Sequence, residues 1–153
     1  MYQLRAVIGA LPVLRALTAH HPLVELEQGL HLLPMTEDVA AALTVSSGPP
    51  LAPFEHAPPG LGDLLATCST HGPVAYVEAD IFGGTGIQIA QTWHHGHTTL
   101  GPIHHDDDEA PPPPITPISQ ALRELGVLRT TNDEFAAAGL SRHRTTAAWL
   151  SSP

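Results

Sequence analysis

Lysine does not occur in this 153-residue sequence, so its fixed positive charges are all arginine: Arg5, Arg15, Arg123, Arg129, Arg142 and Arg144. Against these 6 basic residues stand 15 acidic ones, for a formal net charge of −9. Such a balance argues against nucleic-acid binding by phosphate neutralisation and against an anionic membrane surface. A basic protein partner or a cation is the natural complement, although net negative charge also serves solubility alone. The missing lysine itself fits GC-rich codon usage, which favours Ala, Pro, Gly, His and Arg; the net charge does not follow from it. With one cysteine, Cys68, no internal disulfide can form and nothing requires an oxidising compartment. No apolar run reaches the roughly 18–20 residues needed to span a bilayer. Pro12 and Arg15 interrupt the stretch where a signal peptide would need a continuous apolar core. The expectation is a cytoplasmic chain without membrane contact.

Charged residues are scarce too, at 14% against 42% hydrophobic, which is globular composition with a surface built largely from Thr, Ser, His, Gln and Pro. The length predicts a single globular domain over 1–153. Alternation of Tyr2, Leu4, Ala6 and Ile8 with Gln3, Arg5 and Val7 predicts an opening strand. Pro12 is placed as an early helical residue, with Leu11, Leu14, Leu17 and Thr18 on one helical face until His20, His21 and Pro22 end it. Gln28 and Gly29 divide two apolar runs as a hairpin turn does. Thr36 before Glu37 and Asp38 marks a helix start, with acids at the positive end of the helix dipole.

Pro49, Pro50, Pro53, Pro58 and Pro59 make 45–60 a proline-rich loop, for which Phe54 is the residue that can pin it to a core. Leu61, Leu64, Leu65 and Cys68 then share a helical face, which makes the thiol a small core hydrophobe. A second proline-rich loop is expected over 101–117, with polyproline II at Pro111–Pro114. Thr116 as cap, Pro117 at the first position and Gly126 as terminator define the clearest helix. Asn132 is read as the cap of a short helix from Asp133 to Ala138, and a last turn over 146–150 is expected to bury Trp149. Strands and helices in mixed order with hairpins give an α+β class with a largely antiparallel sheet and helices packed on it.

The richest stretch is residues 74–100. In the strand VAYVEADI, Tyr76, Glu78 and Asp80 share one face. Two carboxylates in a column can serve as a general acid and base, hold a divalent cation, bind arginines or lysines of a partner, or simply keep an exposed sheet face soluble. The adjoining Phe82-Gly83-Gly84-Thr85-Gly86 is not a phosphate cradle: no Gly-Lys-Ser/Thr ending is present, and residues 87–93 alternate as a strand does. The glycines fit a chain reversal or bulge, with Gln88 a hydrogen-bonding group just past it. Among eleven histidines, His94, His95 and His97 fall in one turn, and His104 and His105 precede Asp106, Asp107, Asp108 and Glu109. These are ligand types for zinc, nickel or copper, but no HExxH or cysteine pair accompanies them. No serine has the flanks of a nucleophile elbow. The basic cluster Arg142-His143-Arg144 is too small for a nucleic-acid footprint. Its expected partners are Asp133 and Glu134 or the C-terminus.

The segment GPVAYVEADIFGGTGIQIAQTWHHGHTTLGP, residues 72–102, resembles a motif of small actinobacterial proteins. In those a strand bearing an acid leads into an aromatic-Gly-Gly-x-Gly turn and a strand ending in Trp. Some of these resemble immunity proteins of polymorphic toxin systems. The resemblance implies a non-catalytic acidic binding protein that neutralises a toxin domain without a cofactor. Tyr76, Glu78, Asp80, Gln88, Trp93 and the run Asp106, Asp107, Asp108 and Glu109 are the expected contact residues. Two other classes stand beside it: a metal-binding protein or metal-dependent enzyme using His94, His95, His97, His104, His105 and Asp106, and a structural subunit docking through its proline loops.

Overall fold

The computed structural model describes residues 1–150. Strand β1 (Tyr2–Ala10) runs directly into helix α1 (Leu11–Leu17), with Pro12 in its first turn, where a missing N–H costs nothing. Strands β2 (Val24–Glu25) and β3 (Leu30–Pro34) form the hairpin expected at Gln28 and Gly29, both of which adopt positive φ. Helix α2 (Glu37–Leu43) is capped by Thr36, whose side chain accepts from Val39 N. Helix α3 (Leu61–Cys68) comes next, then β4 (Val74–Phe82), β5 (Thr85–His94) and β6 (His97–Asp106), then α4 (Pro117–Glu124) and the single-turn α5 (Glu134–Ala137). These elements confirm an α+β fold whose sheet has the order β2-β3-β1-β4-β5-β6, with neighbouring strands antiparallel throughout.

Both faces of the sheet carry a core. Leu4, Ala6 and Ile8 of β1 pack with Ala75, Val77 and Ala79 of β4 beneath Ile118, Ala121 and Leu122 of α4, with Leu140 and Trp149 from the last segment. On the other face Val7, Val74, Tyr76 and Trp93 lie beneath Val13 and Leu14 of α1, Val39 and Leu43 of α2, and Leu61, Leu65 and Cys68 of α3. Each fully buried large side chain contributes roughly 1.5–3 kcal/mol by leaving water. The central strands β1 and β4 are therefore buried on both sides.

Several expectations change on this frame. Helix α1 buries Val13 and Leu14 and leaves Leu11 exposed. The second proline loop begins later than residue 101, because β6 continues to Asp106 as the sheet's edge strand, where Pro102 is tolerated. A register shift opposite Gly101 and Pro102 makes a bulge there. Asp133, not Asn132, caps α5 by accepting from Ala136 N at 3.0 Å. Arg142 does not reach Asp133 or Glu134: its guanidinium donates to Glu25 O at 2.6 Å and lies 5.4 Å from the Trp149 ring centre. Glu134 is met instead by Arg123 and Arg129. Burial would raise the Glu134 pKa, but the Arg123 hydrogen bond and the two guanidinium charges hold it below the usual carboxylate range.

The loop 45–60 closes on itself. Val45 N donates to Pro59 O and Gly60 N to Pro49 O, both at 2.9 Å. At its neck a Cβ on Gly48 would lie 2.5 Å from Gly60 Cα, so the two strands of the neck can meet only with glycine there. This is a compact Ω-like loop, and Phe54 ties it to the sheet by an edge contact with Tyr76 at 4.9 Å between ring centres.

Candidate partner-binding face

Cross-strand register assigns side chains to rows. Arg5, Glu78, Ile89 and His104 stand opposite one another across β1, β4, β5 and β6, and so do Gln3, Asp80, Ile87 and Asp106 in the next row towards the β4–β5 turn. Directly paired residues share a face, here the face that α1, α2 and α3 cover further along. Glu55 and His56 from the Ω-like loop reach over Glu78 in the first row and form one side of a small cleft, whose other lining includes Arg5, Glu78, Ile89 and, towards the open end, Asp80 and Ile87.

The Tyr76-Glu78-Asp80 column is not one exposed surface, and this corrects the expectation for two of its members. Tyr76 is completely buried and Glu78 only 6% exposed. Glu78 is an internal organiser: Oε1 accepts from Glu55 N at 2.9 Å, and Oε2 accepts from His56 N at 3.0 Å and from Tyr76 O–H at 2.8 Å. Burial, then the Glu78 charge and its hydrogen bond, push the Tyr76 phenol far above its ordinary pKa, against a lesser lowering by Arg5. Alternation shows which residues share a face; it does not show that a loop folds over it. No motif marks Arg5, Glu55 or His56 in the sequence, and only the Arg5–Glu78 register could have pointed to one of them.

Asp80 alone of the column is exposed. Across the half-buried Ile87 it faces Asp106, so two carboxylates bracket one apolar side chain at the uncovered end of the sheet. Nearby, the two-residue turn Gly83-Gly84 has φ of 62° and 83°, the conformation of a type I′ hairpin. It leaves Phe82 73% exposed.

Most of the other expected contact residues make contacts within the chain. Gln88 Oε1 accepts from Ile118 N at 3.2 Å, docking the start of α4 onto the sheet. Trp93 is 3% exposed and belongs to the second core. Asp107 fastens β6 to β5 by accepting from Gly86 N at 3.0 Å and lies 2.9 Å from His105 Nε2. Asp106 Oδ1 accepts from Asp108 N. Asp108 and Glu109 are exposed.

The five candidate histidines divide between the two ends of β6. His94 pairs with His97 across the β5–β6 turn, where the rings of His94 and His95 stack at 3.7 Å. His104 and His105 sit at the far end, on opposite faces of the strand. Five ligands of one metal they are not, and among the described residues no group of three or more His, Cys, Asp or Glu side chains could hold an ion. No helix among the described residues is long and apolar enough to cross a membrane.

A third feature lies between the Ω-like loop, α3 and the β5–β6 hairpin: a groove of about 290 Å³. Gln91 lines it, 6% exposed; its Nε2 donates to Thr98 Oγ1 at 3.1 Å, while the buried Oε1 meets no donor among the described residues. An orphaned acceptor of this kind costs about 1–3 kcal/mol. Comparison of the chain with protein-family models, curated proteins and solved structures finds no match.

Proposed function

We propose that this chain is a non-catalytic binding protein of the immunity type, which meets a basic protein partner at the uncovered end of its sheet. The observation that carries the reading is Asp80 and Asp106 flanking Ile87 on one open face. Carboxylates around an apolar patch steer a basic partner in and then desolvate against it. The net charge of −9 has the sign such steering needs. The resemblance of residues 72–102 to immunity-like proteins supports the same class. With Tyr76 and Trp93 in the interior, the anchors are Ile87 and the exposed Phe82. Glu78, whose two oxygens already accept three hydrogen bonds, has the environment of a structural carboxylate and not of a free general base.

Co-expression with toxin domains encoded by neighbouring genes tests the reading, with protection of the host by this chain as the expected result. Within the complex, the double substitution Asp80→Asn and Asp106→Asn should slow association at low salt and weaken its salt dependence, and Phe82→Ala should speed dissociation. Absence of protection, or an association rate unaffected by removing both carboxylates, would overturn the proposal.

A further inference from the structure

We infer that the cleft in front of Arg5 is a receptor for a small organic carboxylate. It lies between the first half of β1, the start of α2, His56 of the Ω-like loop and residues 145–147, and has a volume of about 370 Å³. Small-ligand cavities run from about 300 to 1,000 Å³, so this one suits a ligand of few atoms. Its lining includes one guanidinium, Arg5, one imidazole, His56, and one carboxylate, Glu37.

The state of Arg5 carries the inference. It alone of the six arginines is half-buried, the other five being exposed. In a chain with 15 acids it nevertheless forms no ion pair among the described residues. Glu78 stands opposite it in the sheet, but the Glu78 oxygens are turned to Glu55 N, His56 N and Tyr76 O–H. The Gln3 amide, oriented so that its nitrogen donates to Thr146 Oγ1 at 2.9 Å, sets its oxygen 3.1, 2.9 and 3.3 Å from Arg5 Nε, Nη2 and Nη1. An atom that near to all three nitrogens lies over the guanidinium plane, because an acceptor in the plane reaches two of them at most. The N–H edges of the fork are therefore open among the described residues. Two coplanar oxygens satisfy such an edge best, and a carboxylate supplies them. Thr145 Oγ1 accepts from Ala148 N at 3.3 Å, which leaves its O–H proton to donate to the same anion. Ala40 and Ala147 flank the cleft for a short apolar tail. The exposed Glu37 and the buried Glu78 repel a phosphate dianion more strongly than a carboxylate, which selects the monoanion.

This site does not rest on the immunity reading, and loss of toxin protection in co-expression leaves it untouched. Sodium butyrate, titrated at constant ionic strength against sodium chloride with no protein partner present, is the probe. It should shift the NMR signals of Arg5 Nε–H and of the Ala40, Thr145 and Ala147 amides saturably. Arg5→Lys, which keeps the charge and loses the fork, should bind roughly tenfold more weakly, and Arg5→Met should lose the response. Glu37→Gln should bind about two- to fivefold more tightly, since one repelling charge is gone. No saturable shift would overturn the inference. So would equal binding by Arg5→Met, or an unchanged affinity in Glu37→Gln, an exposed position whose change leaves the fold intact. Inorganic phosphate binding more tightly than butyrate would refute the carboxylate class, and butylammonium producing the same shifts would refute an anion site altogether.

Discussion

Removing the Glu78 carboxylate should loosen the Ω-like loop and cost a measurable share of the fold's stability. Glu78 accepts from two loop amides and a buried phenol, and hydrogen bonds to a charged group are worth about 1.5–3 kcal/mol each. The full sum is not expected, because Glu55 and His56 are exposed and water can rehydrate their amides once the loop lifts. Tyr76 has no such recourse: its hydroxyl stays buried and unpaired at about 1–3 kcal/mol. Glu78→Ala should therefore cost about 3–5 kcal/mol in all, the stranded phenol plus the part of the two loop bonds that water does not restore. At about 2–4 °C per kcal/mol for a domain of this size, Tm falls by about 6–20 °C. Glu78→Gln, with one acceptor oxygen kept, should lose roughly half as much, and Tyr76→Phe only about 1 kcal/mol. The double variant should be less damaged than the sum of the singles, since both report the same contact. Urea denaturation followed by circular dichroism gives the free energies, and amide exchange at Glu55 and His56 gives the loop. If Glu78→Ala shifts stability by less than about 1 kcal/mol and both amides stay as protected as before, the carboxylate does not hold the loop and the reasoning fails.

Three further outcomes are expected. Glu134 has a lowered folded-state pKa, so its contribution is present above the unfolded value near 4.3 and disappears as pH falls through the folded value; Arg123→Ala should flatten the acid limb of a stability-against-pH curve, and an unchanged limb would contradict the assignment. Ala at Gly83 or Gly84 meets no atom within 4 Å yet must hold positive φ, so each should cost about 1–2 kcal/mol in thermal unfolding, while Asn at Gly83 should cost less. Burial pushes the Cys68 thiol up to about 11, against a smaller lowering by its backbone hydrogen bond, so a thiol reagent at neutral pH should label it only as fast as the native chain opens; rapid labelling would mean that α3 does not bury it against the sheet.

Local chemistry is legible where one residue type decides a conformation. Thr36 and Thr116 cap α2 and α4 as their positions predict, Gly126 ends α4 at φ 90°, and paired glycines close the β4–β5 hairpin. Coverage is not legible in the same way. Period-two alternation tells that Tyr76, Glu78 and Asp80 share a face, but helices from elsewhere in the chain bury Tyr76, and a loop more than twenty residues earlier folds over Glu78. The part of β6 beyond Leu100 resembles a loop because glycine, proline and a polar run carry no strand signal; its pairing with β5 and the bulge at Gly101 and Pro102 make it an edge. Nor does the sequence single out Gln91, since an orphaned amide is a property of the assembled neighbourhood and not of a motif.

The central strand β1 is bordered along its first half by a segment from far along the chain: Gln3 N donates to the backbone Arg144 O at 2.8 Å and Arg5 N to the side-chain Thr146 Oγ1 at 3.0 Å. On a ribosome, Leu4, Ala6 and Ile8 emerge long before Leu140 and Trp149, which cover their face. That face thus waits without a roof until α4 is made, and with only part of one until the last segment follows. Contacts of such long sequence separation slow folding, and a strand held open in that interval is a target for chaperones. Pulse-labelling of nascent chains stalled before residue 117 should find this face of β1 exposed, with protection rising as α4 emerges and completed only when residues 140–149 leave the exit tunnel.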